Sequence, residues 1–376
     1  MSTDTPKQKT RRTAGKPIPP GAYGNVQLSL FQNLLCNSED ERADLSNAID
    51  LWDSIPRFAV SRQAMGKMRT AEGFLEVLEM PFHHRGVPLT AMIHPARIKQ
   101  VHGKSLDFYP SAGEELLEQT LRKIAVEQFA GFFDKPDFRS GVRFTLHMLR
   151  REMQERGHAR SYQEIQESLH IMAYSVIEIH GEDEKEQVFA ASPYLPFLAG
   201  VTRKTLDEQP DAKWIAQFHP LVTQSIDQLT YRQFNYGRLM SCRTQLARWL
   251  ICQLVSKYTA ASITNKFDMR YSTIKRDSAL LSGYTRERDA IAALDAAWDE
   301  VKAQQAVMLV TKAAQRGARG KLNDVIYSIH PSFEFAAEQK AANRRYNDSC
   351  QKVLSSSGHD SLFDPVDNVK PRGGSR

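Results

Sequence analysis

Residues 142–192 read VRFTLHMLRREMQERGHARSYQEIQESLHIMAYSVIEIHGEDEKEQVFAAS, and their order decides the fold. Val142, Leu146, Leu149 and Met153 recur at helical spacing and predict one buried helical stripe. Gly157 follows as a helix stop. Ser161, with Glu164 three residues on, predicts a capping box and a short helix over 162–169. A further apolar segment leads into a strand-like run at 175–179. A polar turn, HGEDEKE, then precedes a second strand, QVFAAS. Helix, short helix, short helix, hairpin is the order of a winged helix-turn-helix.

Working outward, residues 74–98 predict a β-hairpin around Arg85-Gly86, and Leu117, Leu121 and Ile124 mark a helix. The same order of elements recurs further on. Leu239, Cys242, Leu246, Trp249 and Leu254 predict a long helix, 259–266 a short one, and 271–281 a third. Ile291, Leu294, Trp298 and Val301 predict a fourth. AVMLVTKAA and LNDVIYSI then pair across the basic turn QRGARGK. Repetition of the order predicts a duplicated unit. The expected fold is α+β and mostly helical: two tandem winged-helix domains, 46–225 and 226–345, with disordered tails at 1–45 and 346–376.

Composition bounds the function. At 376 residues the chain is long enough for two domains with real cores. It is 41% hydrophobic and 25% charged, which excludes a fully disordered or fibrous chain. No apolar run of membrane-spanning length occurs, and the basic N-terminus has no secretory h-region. The four cysteines form no CxxC pair. These features predict a cytoplasmic protein with reduced thiols, no structural metal and no membrane partner.

Charge points to a polyanion. Lys+Arg exceed Asp+Glu by 50 to 44, and the excess is local. Lys7, Lys9, Arg11, Arg12 and Lys16 crowd the N-terminus. Lys312, Arg316, Arg319 and Lys321 fill 312–321 with no acid among them. Within the second unit, the helix at 271–281 carries Ser272, Thr273, Lys275 and Arg276. Hydroxyls near a helix start suit phosphates or bases, and Arg suits guanine in the major groove. Arg316, Arg319 and Lys321 have the chemistry of a wing on the phosphate backbone, and Arg286 and Arg288 add phosphate contacts. Solvated helix faces are the competing reading for every one of these charges. In the first unit Arg160, Ser161, Tyr162 and Gln163 are the DNA candidates, with Gln166 beside them. Its hairpin tip is acidic (Glu182, Asp183, Glu184, Glu186), which leaves protein contact as the alternative for that unit.

Catalysis has no carrier. There is no GxxxxGK[ST], GxSxG or HExxH. His83 and His84 are adjacent, so on a strand they point to opposite faces rather than to one metal. The chain is expected not to be an enzyme and to need no cofactor.

Gln27-Leu28-Ser29-Leu30-Phe31 is the sharpest short motif: apolar anchors and a Gln in a Pro/Gly-rich polar tail. It resembles the bacterial sliding-clamp-binding motif, which implies Gln27 in a polar subsite and Leu30 and Phe31 in an apolar pocket. The alternative is a segment docked on this chain's own body. The blocks FAVSR at 58–62, HHRGVPLTAMIHPARI, FYPS at 108–111, EELLEQTLRKIA, SGVRFTLHMLRREMQERGHARSYQEI and TYRQFNYGRLM resemble plasmid replication initiators of the RepA/TrfA-like class. The likeness covers roughly 46–345. It implies tandem winged helices on repeated origin sites (iterons), opening of duplex origin DNA with exposure of single strands, and recruitment of the host initiator, replicative helicase and sliding clamp. It also implies a homodimeric autorepressing form. The acidic first wing departs from that pattern. A winged-helix transcription regulator with no replisome role is the rival reading.

Overall fold

The computed structural model describes residues 45–100, 103–126, 130–134, 137–182, 187–200, 213–228, 231–317 and 320–356. In chain order the first part carries β1 (Leu45–Ile49), α1 (Asp50–Ser54), α2 (Arg62–Met68), β2 (Leu78–His84), β3 (Val87–His94), β4 (Ala96–Lys99), β5 (Ser105–Phe108) and α3 (Ala112–Val126). It continues through β6 (Gly131–Asp134), β7 (Arg139–Phe144), α4 (Leu146–Glu155), α5 (Tyr162–Tyr174), β8 (Val176–Glu182), β9 (Gln187–Pro193), β10 (Leu198–Ala199), β11 (Trp214–Gln217) and α6 (Pro220–Asp227). The second part carries β12 (Tyr231–Asn235), α7 (Tyr236–Met240), α8 (Gln245–Lys257), β13 (Phe267–Arg270), α9 (Tyr271–Ser278), α10 (Glu287–Ala303), β14 (Val307–Arg316), β15 (Leu322–Pro331) and α11 (Phe333–Ser356).

The sheets are antiparallel, with strand orders β2-β3-β8-β9, β10-β11-β7-β6 and β13-β15-β14, and two-stranded pairs β1-β12 and β4-β5. Helices and strands thus share the described chain, which corrects the mostly helical expectation to a mixed α/β architecture. The unforeseen strands are short, and their partners are distant in sequence. β1, for example, pairs with β12 nearly two hundred residues later, at a register of Leu45 opposite Asn235.

Local chemistry explains where elements begin. The Arg85-Gly86 turn has positive φ at both residues (50° and 85°), the geometry that joins β2 to β3 with the right twist. Thr145 caps α4 by accepting from the Met148 N–H at 3.1 Å, so the helix begins after it and Val142 lies in β7 instead of on the helical stripe. Ser161 and Glu164 form the full capping box of α5. That helix runs on to Tyr174 because Leu169, Ile171 and Met172 keep its inner face buried. The helix expected across 239–254 is split. Thr244 caps α8, and both Arg243 and Thr244 give their N–H groups to Glu300 of α10. Residues 259–266 are turns, not a helix. The Asn265 side chain bonds the Ala260 carbonyl, the Ser262 N–H and the Tyr258 hydroxyl, satisfying backbone that a helix would otherwise satisfy. At the far end α11 continues to Ser356, past the expected tail start at 346, because Phe335, Ala336, Gln339 and Ala342 bury a stripe beside β12.

One apolar cluster runs from Leu45 through Phe335 and joins both parts. Charged groups also lie within the junction. Arg57 reaches Asp53 at 3.1 Å and Glu118 at 2.8 Å, and Arg122 holds both Asp53 oxygens at 3.0 Å. Arg248 of α8 meets Glu115 of α3 at 2.9 Å, and Gln245 donates to the Phe58 carbonyl at 2.9 Å. Burial alone would raise the Asp53 carboxyl; Arg122 and Arg57 outweigh it and hold the group below its ordinary value. Buried pairs of this kind fix geometry more than they add stability.

Candidate nucleic-acid interface

The loss of a helix at 259–266 changes the count in the second part. α8 is its first helix, α9 its second and α10 its third, and α10 leads directly into the β14–β15 hairpin. The outer face of α10 begins in a continuous exposed stretch: residues 282–289 are all exposed, including Tyr284, Thr285, Arg286 and Arg288. Arg286 sits at the N-cap without a side-chain cap bond, so the first-turn N–H groups of α10 have no intrahelical or capping acceptor there. Arg288 is 74% exposed and touches only Asp289, at 3.3 Å. An open helix start flanked by two guanidiniums is a ready anion site. Behind it, Ala290, Leu294, Ala297, Trp298 and Val301 anchor the helix in the core.

The hairpin is locked to that helix. Tyr327 of β15 donates to Asp295 of α10 at 2.9 Å, Lys312 of β14 pairs with the same carboxylate, and the Tyr327 and Trp298 rings lie 6.2 Å apart. Beyond residue 310 β14 is exposed on both faces, so the hairpin leaves the core as a free ribbon. Its tip closes by Gly317–Lys321 backbone pairing. Gly320 has φ +72°, and Arg316 donates to the Gly320 carbonyl at 3.0 Å. Lys321 is exposed; Arg319 lies outside the described residues.

The residues expected on the helix at 271–281 are placed differently. Ser272 donates its hydroxyl to Asp324 at 2.6 Å. Lys275 pairs with Glu287 at 2.5 Å, and Arg276 with Asp277 at 2.7 Å. Thr273 is half-buried. The hydrogen bonds from Lys275 and Tyr271 hold Glu287 below the usual carboxylate range. Two of the cations assigned to reading are therefore tied to carboxylates of their own unit, while Arg286 and Arg288 stand in the open.

In the first part α5 is the third helix before the β8–β9 hairpin. Ser161 is spent as its cap, and Arg160 lies 3.6 Å from Glu164. Gln163 is exposed. The Tyr162 ring carries the Arg150 guanidinium at 4.8 Å, and its hydroxyl lies 3.3 Å from His147. Arg150 and His147, both exposed on α4, escaped the sequence reading. Their signal was their position opposite the Leu146, Leu149 and Met153 stripe. The acidic residues 183–186 lie outside the described residues, as does the 27–31 motif.

Among the described residues no group of three or more His, Cys, Asp or Glu is placed to hold a metal ion, and no helix is long and apolar enough to cross a membrane. Cys242 and Cys252 are buried free thiols; burial pushes Cys242 up to about 12.

No family model matches the chain, and no curated protein matches it. Among solved structures it is similar to domains 2 and 3 of RctB in two crystal structures. For a selenomethionine derivative the TM-score is 0.44 at 11% identity, covering 74% of this chain and 97% of that one. For residues 155–483 the TM-score is 0.43 at 9% identity, covering 73% and 97%. It is also similar to the Pi initiator protein in complex with iteron DNA, with a TM-score of 0.32 at 10% identity, covering 78% and 99%. These are partial resemblances.

Proposed function

We propose that this chain is a plasmid replication initiator that binds repeated duplex sites at an origin through two winged-helix units. The observation that carries the reading is the pairing, in one rigid block, of an open cationic helix start (Arg286, Arg288) with a cationic ribbon (Arg316, Lys321). An exposed third helix start reads bases in the major groove, and a basic hairpin beside it neutralises phosphate. In the first unit, Arg150 stacked on Tyr162 and the exposed Gln163 form a second, weaker face. Binding free energy from both units then supports bending and local melting of the origin, with no catalytic residue and no cofactor. Gln27, Leu28, Ser29, Leu30 and Phe31 would tether the sliding clamp, and the host initiator and replicative helicase are the further partners of this reading. A homodimer would serve as its autorepressing form.

The direct test compares Arg288→Ala with Arg276→Ala on the cognate site. The expected outcome is a loss of about 1–3 kcal/mol for Arg288→Ala if it makes a bidentate base contact, and a smaller one for Arg276→Ala, whose guanidinium rests on Asp277. Equal affinities for Arg288→Ala and the unaltered chain, measured by anisotropy titration, would remove α10 from the reading position.

A further inference from the structure

Away from both faces, a groove of about 600 Å3 opens between α5 and the segment that carries β10. Gln166, His170 and Tyr174 line it from one stripe of α5, four residues apart. Phe197, Gly200 and Trp214 close the opposite side. Tyr174 is 59% and Phe197 52% exposed, so two large aromatic rings face solvent at its rim. The His170 and Tyr174 rings lie parallel, 7° apart in plane and 5.7 Å between centroids. Burial depresses His170, which leaves its ring neutral at pH 7.

The floor is built. Trp214 is only 4% exposed, yet its indole N–H has no hydrogen-bond partner. A buried donor without an acceptor is costly, and one that lines a groove is satisfied by whatever enters it. Gly200 lies flat on the indole: a Cβ there would sit 2.1 Å from the ring. The Gln166 amide adds one donor and one acceptor at the edge. No Lys or Arg lines the groove. Flat aromatic walls, an unpaired N–H, an amide and no cation match a neutral heteroaromatic ring with acceptors on its edge.

We infer that this groove binds a nucleobase, stacked on Tyr174 and Phe197, with its edge hydrogen-bonded by the Trp214 indole and the Gln166 amide. The base comes either from a free nucleoside or from an unpaired strand. The groove lies toward the C-terminal end of α5, and Gln163, near the start of the same helix, is about 16 Å from Tyr174 along the axis. A strand leaving a duplex bound at the helix start would be within reach. Because no cation lines the groove, its binding should change little with salt, unlike the phosphate-driven binding of duplex.

The test uses the full chain and a variant with Tyr174→Ala and Phe197→Ala, both exposed positions. A labelled single-stranded 12-mer is titrated at high salt, with adenosine and thymidine as competitors, and duplex binding is measured alongside. The expected result is a fall in single-strand affinity of about 5- to 100-fold in the variant, with duplex binding unchanged. Competition by nucleosides supports a free base as the source, and competition only by unlabelled strand supports a strand-borne one. Equal single-strand affinity in both proteins, or no competition by either, overturns the inference. Failure of the unaltered chain to bind duplex would count against the origin-binding reading and leave this comparison intact.

Discussion

His219 shows how single residues set the pH range of this fold. Its ring stacks on Trp52 at 4.3 Å, and its Nδ1 accepts from the Leu221 N–H at 3.2 Å, capping α6. Burial, with the nearby Arg57 charge, pushes it down to about 3. The folded value is thus below the unfolded one, near 6.5, so the unfolded chain binds the proton first as pH falls. The stabilisation is complete above roughly 6.5 and is lost toward 3, by up to about 1.4 kcal/mol per pH unit. Denaturant titrations at pH 7 and pH 5 should show lower stability at pH 5, and His219→Asn, which can keep the cap, should flatten the difference. An unchanged difference in His219→Asn would assign the pH dependence to other groups. The same scale separates the cations. Lys275 and Arg276 look like DNA residues in sequence, but Glu287 and Asp277 engage them; only the fold reveals those acceptors, because Glu287 belongs to the next helix.

Among elements, the long periodic helices and the wide hairpins were legible, and the short strands were not. The capping box at Ser161 and the Arg85-Gly86 turn carry their geometry in two or three residues, so sequence alone places them. β7 fails that standard because Val142 falls in helical register with Leu146 by accident of spacing, and only Thr145 shows the boundary. β4, β6 and β11 are four residues each, too short for alternation to stand out. The position of the reading helix is obscured for a related reason. A polar turn at 259–266, organised by Asn265, counts as a helix in the pattern and shifts every later helix by one. The β14–β15 ribbon was legible because its tip is basic and glycine-rich. Neutralising Arg316 and Lys321 together should weaken binding to all duplex sequences alike. It should also make the salt slope shallower by about 0.9 for each phosphate that is no longer neutralised. A weakening confined to the cognate site, in salt titrations on specific and random duplexes, would instead make the ribbon a base reader.

On the scale of the whole molecule, the two parts are joined by more than a linker. β1 pairs with β12, α8 meets α3 through Arg248 and Glu115, and one apolar cluster spans both, so the helix starts of α5 and α10 are carried on a shared core. The sequence boundary at 225–226 marks the repeat of element order, and the strand pairing across it was hidden by its separation in the chain. The clamp reading belongs to this scale too, because it joins a tail motif to a DNA-bound body. Leu30→Ala with Phe31→Ala should abolish retention of bacterial sliding clamp in a pull-down and leave duplex affinity unchanged. Retention by the variant would make the motif incidental and favour the transcription-regulator reading. The most direct test of the central claim is a nuclease footprint of the full chain across its plasmid's origin region. The initiator account predicts several separate protected blocks of closely similar sequence. A single protected block at the chain's own promoter, with the origin left unprotected, would contradict it.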